Sequence, residues 1–338
     1  MSSTISPEKI LHEMSDLWVS LGKEAGTDTS TGVLRACTMT LIVATAESED
    51  AQELGETLAA LMPEHPSRAI VIRLRPDQER SLEAKVFAQC WMPFGHREQI
   101  CCEQIEIKAS QASLPDLPAV VLPLAAPDLP VVLWCRVPDM LDVPEFRQLS
   151  GLAQKVVVDS DRFSDPAGAL QTLVNWPRAG QTVGDLAWTR LTRWRELISQ
   201  IFENRTYLAS LPRISEIRIL HACETTPTEA WYIAAWLAEG VRQAGGDARI
   251  RFLPSSGKTT CGLVGVRLSG PDDLEFSLSV VDDQVVESRR ESIVHRTVFP
   301  VASDYVLMRE ELTIPGKDSN FQKTLAAAAK LAVSSIKQ

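Results

Sequence analysis

The chain has 338 residues, of which 45% are hydrophobic and 23% are charged, and its formal net charge is −10. This is the composition of an ordinary globular protein, so disordered, collagen-like and low-complexity classes are excluded. Because 34 basic residues stand against 44 acidic ones, neither nucleic acid nor an anionic membrane surface is expected as a partner.

The first half of the chain alternates strand-like and helical patterns. A helix is predicted over residues 7–22, where Ser6 can act as the cap and apolar residues recur at helical spacing. Helices are also predicted near 49–61 and 141–152. Strands are predicted at 33–43, 68–74, 82–91, 99–108, 129–134 and 155–159. This alternation indicates an α/β domain over residues 1–180, with a mainly parallel or mixed sheet flanked by helices.

Residues 182–203 predict a long amphipathic helix. Thr182 and Asp185 resemble a capping box, and Ala187, Leu191 and Trp194 begin an apolar stripe. Because apolar residues cover more than half of its circumference, this helix is expected to link the two halves of the chain.

The second half begins with a strand–helix–strand pattern at 214–220, 228–243 and 249–253. Residues 261–312 then read as short strands with turns, which is typical of an antiparallel meander. A final helix is predicted over 319–336. These elements indicate an α+β domain over residues 181–338 that includes the helix at 182–203, so the chain as a whole is predicted to have two mixed α/β domains.

The seven cysteines are odd in number and contain no Cys-x-x-Cys pair. The N-terminal residues lack the pattern of a signal peptide, and no apolar stretch is long enough to span a membrane. These features predict a cytoplasmic protein whose thiols are mostly free and act as small buried hydrophobic groups.

The known sequence patterns of catalysis are missing. There is no Gly-x-Gly-x-x-Gly and no Gly-x-Ser-x-Gly, and the segment 254–260 has only the last part of a phosphate loop. The five histidines are scattered and form no metal-binding pair. The sequence therefore predicts no catalytic residue, no metal ligand and no cofactor.

Three short segments carry residues that could contact a ligand or a partner. Each has an ordinary alternative explanation: a turn with a solvated arginine for the first, a turn-forming aspartate for the second, and an Asx-turn after a buried strand for the third. The third also lies at the sheet edge where α/β proteins bind ligands. The candidate residues are His65, Ser67 and Arg68, then Asp128, then Asp159 and Ser160.

These segments resemble the glucose-6-phosphate dehydrogenase assembly protein family, OpcA. Six pieces match in the order of that family over the first 200 residues, whereas the second half matches more weakly, chiefly at 234–238. The matching pieces are Leu34–Val43, His65–Arg68, Ile100–Ile105, Asp128–Trp134, Val156–Ser160 and Asp185–Glu196.

The resemblance implies a non-catalytic protein that binds glucose-6-phosphate dehydrogenase, in an assembly or activating role in the oxidative pentose phosphate pathway. An acidic chain would then be steered toward a basic face of the enzyme. Arg190, Trp194 and Arg195 are candidate contacts, because arginine and tryptophan are favoured at interfaces. Alternatively these residues belong to a core helix with exposed arginine ends.

A second hypothesis is an enzyme or sensor for a phosphosugar. It would use the strand-end loops His65–Arg68 and Asp159–Ser160. A deep polar pocket at those loops would favour this hypothesis, and a flat apolar patch would favour a binding protein.

Overall fold

A computed structural model describes residues 6–25, 33–92, 99–176, 180–255, 261–282, 284–290, 293–299, 302–314 and 316–336. The chain divides into two compact units. The first consists of residues 1–159, 178–184 and 304–313, and the second of residues 160–177, 185–303 and 314–338. The chain thus passes between the units several times. The predicted domain boundary between residues 180 and 181 stays a prediction.

The first unit is built on a mostly parallel sheet in the order β1-β5-β3-β2-β6-β7-β8, with β4 also paired to β5. The pairs from β1 through β7 are parallel, except that β4 runs antiparallel to β5. The predicted α/β class is therefore confirmed. The strands are β1 (Val33–Arg35), β2 (Met39–Ala46), β3 (Ser67–Arg75), β4 (Leu82–Trp91), β5 (Gln99–Ser110), β6 (Val131–Cys135), β7 (Lys155–Val158) and β8 (Thr182–Asp185).

Both units contain helices in addition to their sheets. Strands β6 and β7 are buried along their whole length, as expected for valine-rich strands with covered faces. The helices are α1 (Pro7–Ala25), α2 (Ala51–Leu61), α3 (Leu117–Leu124), α4 (Pro144–Ser150), α5 (Pro166–Asn175), α6 (Leu186–Arg190), α7 (Thr192–Phe202), α8 (Arg205–Leu208), α9 (Thr228–Gln243), α10 (Asp304–Leu312) and α11 (Ser319–Ile336).

The second unit contains a six-stranded sheet in the order β10-β9-β11-β12-β13-β14. Strands β9 and β10 are parallel and the remaining pairs are antiparallel, which confirms the predicted meander. Phe202 and Tyr207 pack edge-on against Phe276 on one face of this sheet. The strands are β9 (Glu216–His221), β10 (Arg249–Pro254), β11 (Leu263–Ser269), β12 (Glu275–Asp282), β13 (Val285–Arg290) and β14 (Ile293–Val298).

The long helix predicted over residues 182–203 is wrong in two places. Its first four residues form strand β8, and the helix begins only after Asp185, whose carboxylate accepts the N–H of Ala187. The helix is then interrupted at Leu191, because the N–H of this residue bonds to the carbonyl of Trp188 three residues back. The amphipathic stripe is real, but it belongs to two short helices, α6 and α7.

The predicted meander also ends earlier than expected. Residues 304–312 form helix α10, whereas the sequence pattern suggested short strands up to residue 312. Leucine, methionine, arginine and glutamate dominate this segment, and all four are good helix formers. Glu311 of α10 is buried and pairs with Lys155 at 2.7 Å, so a long-range ion pair adds to the local preference.

Four of the seven cysteines form disulfides, so the prediction of mostly free thiols is wrong. Cys90 lies directly opposite Cys101 in the β4–β5 pair, and Cys223 is joined to Cys261. The sequence hid these pairs because strand pairing and folding bring distant cysteines together. Cys37, Cys102 and Cys135 are free. None of the described helices is long and apolar enough to cross a membrane, and the cytoplasmic location stays a prediction.

The disulfides predict a distinct alkylation pattern. Denatured protein treated with iodoacetamide without reductant is expected to gain three carbamidomethyl groups, on Cys37, Cys102 and Cys135. After reduction it should gain seven. Intact-mass spectrometry distinguishes the two cases. Seven modifications without reductant, from protein purified without thiol reagents, would show that the pairs do not form.

Candidate functional site

The carboxyl edge of the first sheet is the position where the topology predicts a ligand site. Along the chain, β2, β3 and β5 lie successively outward on one side, and the chain then returns to place β6 and β7 on the other side of β2. The direction of winding therefore reverses between β2 and β6. Open α/β sheets bind ligands in the crevice beyond the strand ends at such a point, and dinucleotide-binding proteins share this order.

A cavity of about 540 Å³ lies at this edge. Its size falls within the range of about 300–1,000 Å³ that is usual for ligand pockets. Apolar side chains form most of its wall, and four polar residues stand among them. The lining residues are Ala46, Glu47, Ser48, Leu74, Arg75, Pro76, Gln111, Leu114, Val137 and Met140.

The loop after β2 does not fit a dinucleotide. Such a cofactor would place its pyrophosphate on free N–H groups at the N-terminus of the following helix, α2. Here Asp50 caps that helix, and its carboxylate accepts the N–H groups of Gln52 and Glu53 at 2.8 and 3.4 Å. The loop contains no glycine, and Glu47 and Glu49 bring two further carboxylates to it. The phosphates of a dinucleotide would therefore face carboxylates at the position where they need hydrogen-bond donors.

Because Asp50 satisfies these N–H groups, its removal is expected to destabilise the first unit. Asp50→Ala should lower the free energy of unfolding by about 1 kcal/mol, the usual value of an N-cap. Asp50→Asn should retain most of the stability, since asparagine caps equally well. Urea unfolding followed by circular dichroism measures both. Equal losses in the two variants would contradict the capping role.

A second polar cluster lies in the second unit around Arg190, where the side chains of Arg190 and Asp161 are half-buried and that of Glu229 is buried. This residue ends α6, and its guanidinium contacts Asp161 at 3.1 Å and Glu229 at 2.9 Å. Asp161 follows β7 in a 3₁₀ turn and accepts the N–H of Thr228 at 3.0 Å. Glu229 also accepts the N–H of Leu263 at 3.2 Å. One arginine thus lies between two carboxylates at the first turn of α9.

Asp185 extends this cluster. Its carboxylate accepts the hydroxyl of Tyr232 at 2.7 Å and the N–H groups of Ser160 and Ala187 at 3.0 Å each. The Ser160 hydroxyl in turn donates to Thr228 Oγ1 at 2.8 Å. Asp185, Ser160, Thr228 and Tyr232 are all fully buried. Hydrogen bonds and ion pairs therefore join the turn after β7 to α6 and α9.

The electrostatics of the network favour a proton on Glu229. Burial raises the pKa of this carboxyl to about 8, and the nearby charge of Asp161 acts in the same direction, whereas Arg190 opposes both. Burial, together with the neighbouring Asp185 carboxylate, also raises the pKa of Tyr232. With Glu229 protonated, Arg190 keeps the carboxylate of Asp161 as a charged partner.

This proton makes stability depend on pH. The pKa of Glu229 is about 8 in the folded chain against an ordinary 4.5, so the folded state binds an extra proton between these values. The free energy of unfolding should therefore fall as pH rises from 5 toward 8. Glu229→Gln, which mimics the protonated form, should flatten this dependence, whereas Glu239→Gln on the exposed side of α9 should keep it. Urea unfolding at several pH values tests this, and a flat wild-type profile would contradict it.

The candidate ligand or partner residues at the start of β3 lie mostly in the interior of the first unit. Ser67 and Arg68 are buried, and His65 lies in the preceding turn. Arg68 Nε contacts Glu103 Oε2 at 2.6 Å, and Nη1 donates to the carbonyl of Leu124 at 2.8 Å. The guanidinium of Arg68 therefore neutralises a carboxylate of β5 inside the unit.

The other predicted loop residues lie elsewhere. Asp128 adopts a left-handed conformation with φ of 62° in the turn before β6, a role that aspartate fills readily. Asp159 follows β7, and Ser160 belongs to the buried network. Because β3 and β7 run in the same direction, the loop before β3 and the loop after β7 lie at opposite edges of the sheet. The structure does not bring the two loops together.

The predicted contact residues near α7 are mostly packed inward. Arg190 belongs to the buried network, and Trp194 is 7% exposed and meets Phe299 edge-on at 5.7 Å. The guanidinium of Arg195 stacks on the ring of Trp188 at 3.6 Å. This packing agrees with the alternative interpretation, a core helix whose arginines have exposed ends. A contact of Arg190, Trp194 or Arg195 with a partner stays a prediction.

Sequence reasoning missed the acidic members of the network. Asp161, Asp185 and Glu229 come from three separate regions, and only Asp185 gave a local signal, as a helix cap. A glutamate directly before the apolar run Ala230–Ala235 was the available clue for Glu229. Among the described residues, no three His, Cys, Asp or Glu side chains converge in a way that could hold a metal ion.

Two family profiles match the chain. Residues 58–175 match the glucose-6-phosphate dehydrogenase subunit N-terminal domain, and residues 181–325 match the corresponding C-terminal domain. The OxPP cycle protein OpcA of Nostoc punctiforme is 25% identical over 258 residues, which cover 75% of this chain and 51% of that protein. Its counterpart in Synechocystis is 26% identical over 167 residues, which cover 49% of this chain and 34% of that protein. The chain spans about half or less of the length of these relatives.

The chain also shows a low similarity to several solved oxidoreductase structures. A mutant of KijD10, a 3-ketoreductase from Actinomadura kijaniata in complex with TDP-benzene and NADP, has a TM-score of 0.48 and 11% identity, covering 87% of this chain and 96% of that chain. Apo scyllo-inositol dehydrogenase from Lactobacillus casei has a TM-score of 0.46 and 10% identity, covering 88% and 96%.

Proposed function

The chain belongs to the OpcA family of glucose-6-phosphate dehydrogenase assembly proteins, and from this premise we propose that it binds glucose-6-phosphate dehydrogenase without catalysing a reaction itself. In this role it supports the activity of the enzyme in the oxidative pentose phosphate pathway, as an assembly factor or an allosteric activator. The observation that carries the proposal is the match of both family profiles, in order, across residues 58–175 and 181–325.

The carboxyl edge of the first sheet supports a non-catalytic role. An oxidoreductase built on this topology needs a dinucleotide, and the loop between β2 and α2 offers carboxylates in place of phosphate donors. The network around Arg190 joins α6 to α9 through hydrogen bonds and ion pairs, which is a structural role. Among the residues that the structure describes, neither region supplies the arrangement of groups that hydride transfer requires.

The effect on the enzyme is tested by kinetics. Purified chain is added to the cognate dehydrogenase, and NADPH formation is followed by absorbance over a range of glucose 6-phosphate concentrations. An activator is expected to lower the KM or raise the kcat, and an assembly factor to raise the kcat at low enzyme concentration, where the oligomer dissociates. The same amount of heat-denatured chain serves as the control. Unchanged kinetics at saturating chain would overturn the proposed role.

A further inference from the structure

The second sheet has one face that is rich in arginine. Because side chains alternate along a strand, Arg249 and Arg251 of β10 share a face, and the pairing register places Arg218, Arg267, Arg289 and Arg296 on it too. Arg251, Arg218 and Arg267 stand directly opposite one another on three neighbouring strands. We call these six arginines the arginine face.

This face is exposed, whereas the reverse face of the same strands is packed. Five of the six arginine side chains are 37–69% exposed, and Arg249 is exposed as well. The residues between them point the other way and are buried, among them Ile217, Ile219, Leu268 and Phe276. Helix α9 packs against β9. Among the described residues, the reverse face of β9, β11 and β12 is thus packed, whereas the arginine face is exposed.

The charge of the arginine face opposes that of the chain. Glu216, Glu275 and Glu287 lie among the six arginines, and Asp282 shares their face at the end of β12. This leaves a local net charge of +2 in a chain with a net charge of −10. Each of these glutamates contacts one or two arginines, for example Glu287 with Arg289 at 3.0 Å and Arg296 at 3.1 Å. The glutamates hold the arginine side chains in place without neutralising the face.

The row of arginines is unfavourable for the isolated fold. Like charges directly opposite each other on neighbouring strands destabilise a sheet. Exposed ion pairs with the glutamates offset little of this destabilisation. Since local stability does not explain the row, a function in binding does. Arginine offers five N–H donors in a fixed plane that matches carboxylates in pairs.

We propose that the arginine face docks onto a carboxylate-rich surface of glucose-6-phosphate dehydrogenase, an inference that rests on the proposed function. Charge complementarity selects this occupant. A second copy of the chain would oppose two faces of +2, which repel. Nucleic acid would meet three glutamates within the face and a chain of net charge −10 around it. Val294 and Val298, exposed on β14 beside the arginines, supply apolar contact area.

The test compares two double charge reversals in the same unit. Arg218→Glu with Arg267→Glu reverses the centre of the arginine face. Arg193→Glu with Arg242→Glu makes the same change of net charge on α7 and α9, at arginines that are more exposed than Arg218 and Arg267 and also paired with a glutamate. Thermal unfolding by circular dichroism verifies that both variants fold. Binding to the immobilised cognate dehydrogenase is measured at 50 and 300 mM NaCl.

The face variant is expected to bind about 100-fold or more weakly, in line with buried charge pairs at interfaces, and the control variant within about threefold of wild type. Wild-type affinity should fall with salt, and the residual affinity of the face variant should depend less on salt. Wild-type binding that survives reversal of the face would overturn the docking proposal alone. No wild-type binding would overturn the proposed function itself. Tight binding of wild type to a 20-base-pair DNA duplex at 150 mM NaCl would overturn the choice of occupant.

Discussion

Replacing Glu103 by alanine is expected to lower the free energy of unfolding of the first unit by about 3–5 kcal/mol, the range observed when one partner of a buried ion pair is removed. The Glu103 side chain is 2% exposed and contacts Arg68 at 2.6 Å, Arg35 at 2.5 Å and the indole N–H of Trp18 at 2.6 Å. Without it, the buried charge of Arg68 has no carboxylate to balance it. Urea unfolding followed by circular dichroism measures the loss.

The control for this prediction lies on the same strand. Glu106→Ala removes a carboxylate of β5 that is more exposed and contacts Arg73 only at 3.7 Å, so a loss below about 1 kcal/mol is expected. The double variant Arg68→Met with Glu103→Leu should recover much of the stability, because apolar residues of similar volume can replace a buried pair. If Glu103→Ala costs no more than Glu106→Ala, the buried pair does not stabilise the unit.

Replacing Asp185 by alanine is expected to cost about 3–5 kcal/mol in the second unit, since each buried partner left without a hydrogen bond costs about 1–3 kcal/mol. The variant leaves the hydroxyl of Tyr232 and the N–H of Ser160 without their acceptor, and α6 loses its cap. The loss is read from differential scanning calorimetry, as a lower transition temperature of the second unit.

Two variants with smaller expected losses of stability test the role of Asp185 further. Tyr232→Phe removes one donor and leaves the other bonds of Asp185, so a loss of about 1 kcal/mol is expected. Asp185→Asn keeps an acceptor oxygen and the cap, and it should fall between the two. An order in which Tyr232→Phe costs more than Asp185→Ala would show that Asp185 is not the centre of the network.

The sequence predicted most of the strands because their local signal is strong. The runs at 68–74, 129–134 and 155–159 are continuous and apolar, and strands β3, β6 and β7 follow them closely. The helix at 182–203 was predicted from a true apolar stripe, yet its first four residues form strand β8. Local periodicity describes which residues are buried but not where a sheet ends and a helix begins.

The candidate sites could not be predicted in the same way, because they are made by pairing and folding. Asp161, Arg190 and Glu229 are far apart in sequence and meet only when α6 and α9 pack together. The arginines of β9, β10 and β11 form a row only through the register of the sheet. Cys90 and Cys101 are joined because β4 folds back on β5.

The arginine face also changes the interpretation of the charge of the chain. The acidic total suggested steering toward a basic surface of a partner. The exposed sheet carries the opposite sign, so the contact surface we propose would meet an acidic patch of the dehydrogenase. Arg190, Trp194 and Arg195 then contribute mainly to the packing of the second unit, and strands β9 to β14 would provide the exposed contact.

Sedimentation velocity of the chain mixed with its cognate glucose-6-phosphate dehydrogenase tests binding most directly. With the chain labelled by a fluorophore and the enzyme in excess at micromolar concentration, the labelled boundary is expected to move with the enzyme as a faster species, and unlabelled chain should compete for it. A labelled boundary that sediments at the rate of the chain alone, at every enzyme concentration and at low salt, would contradict the proposed function.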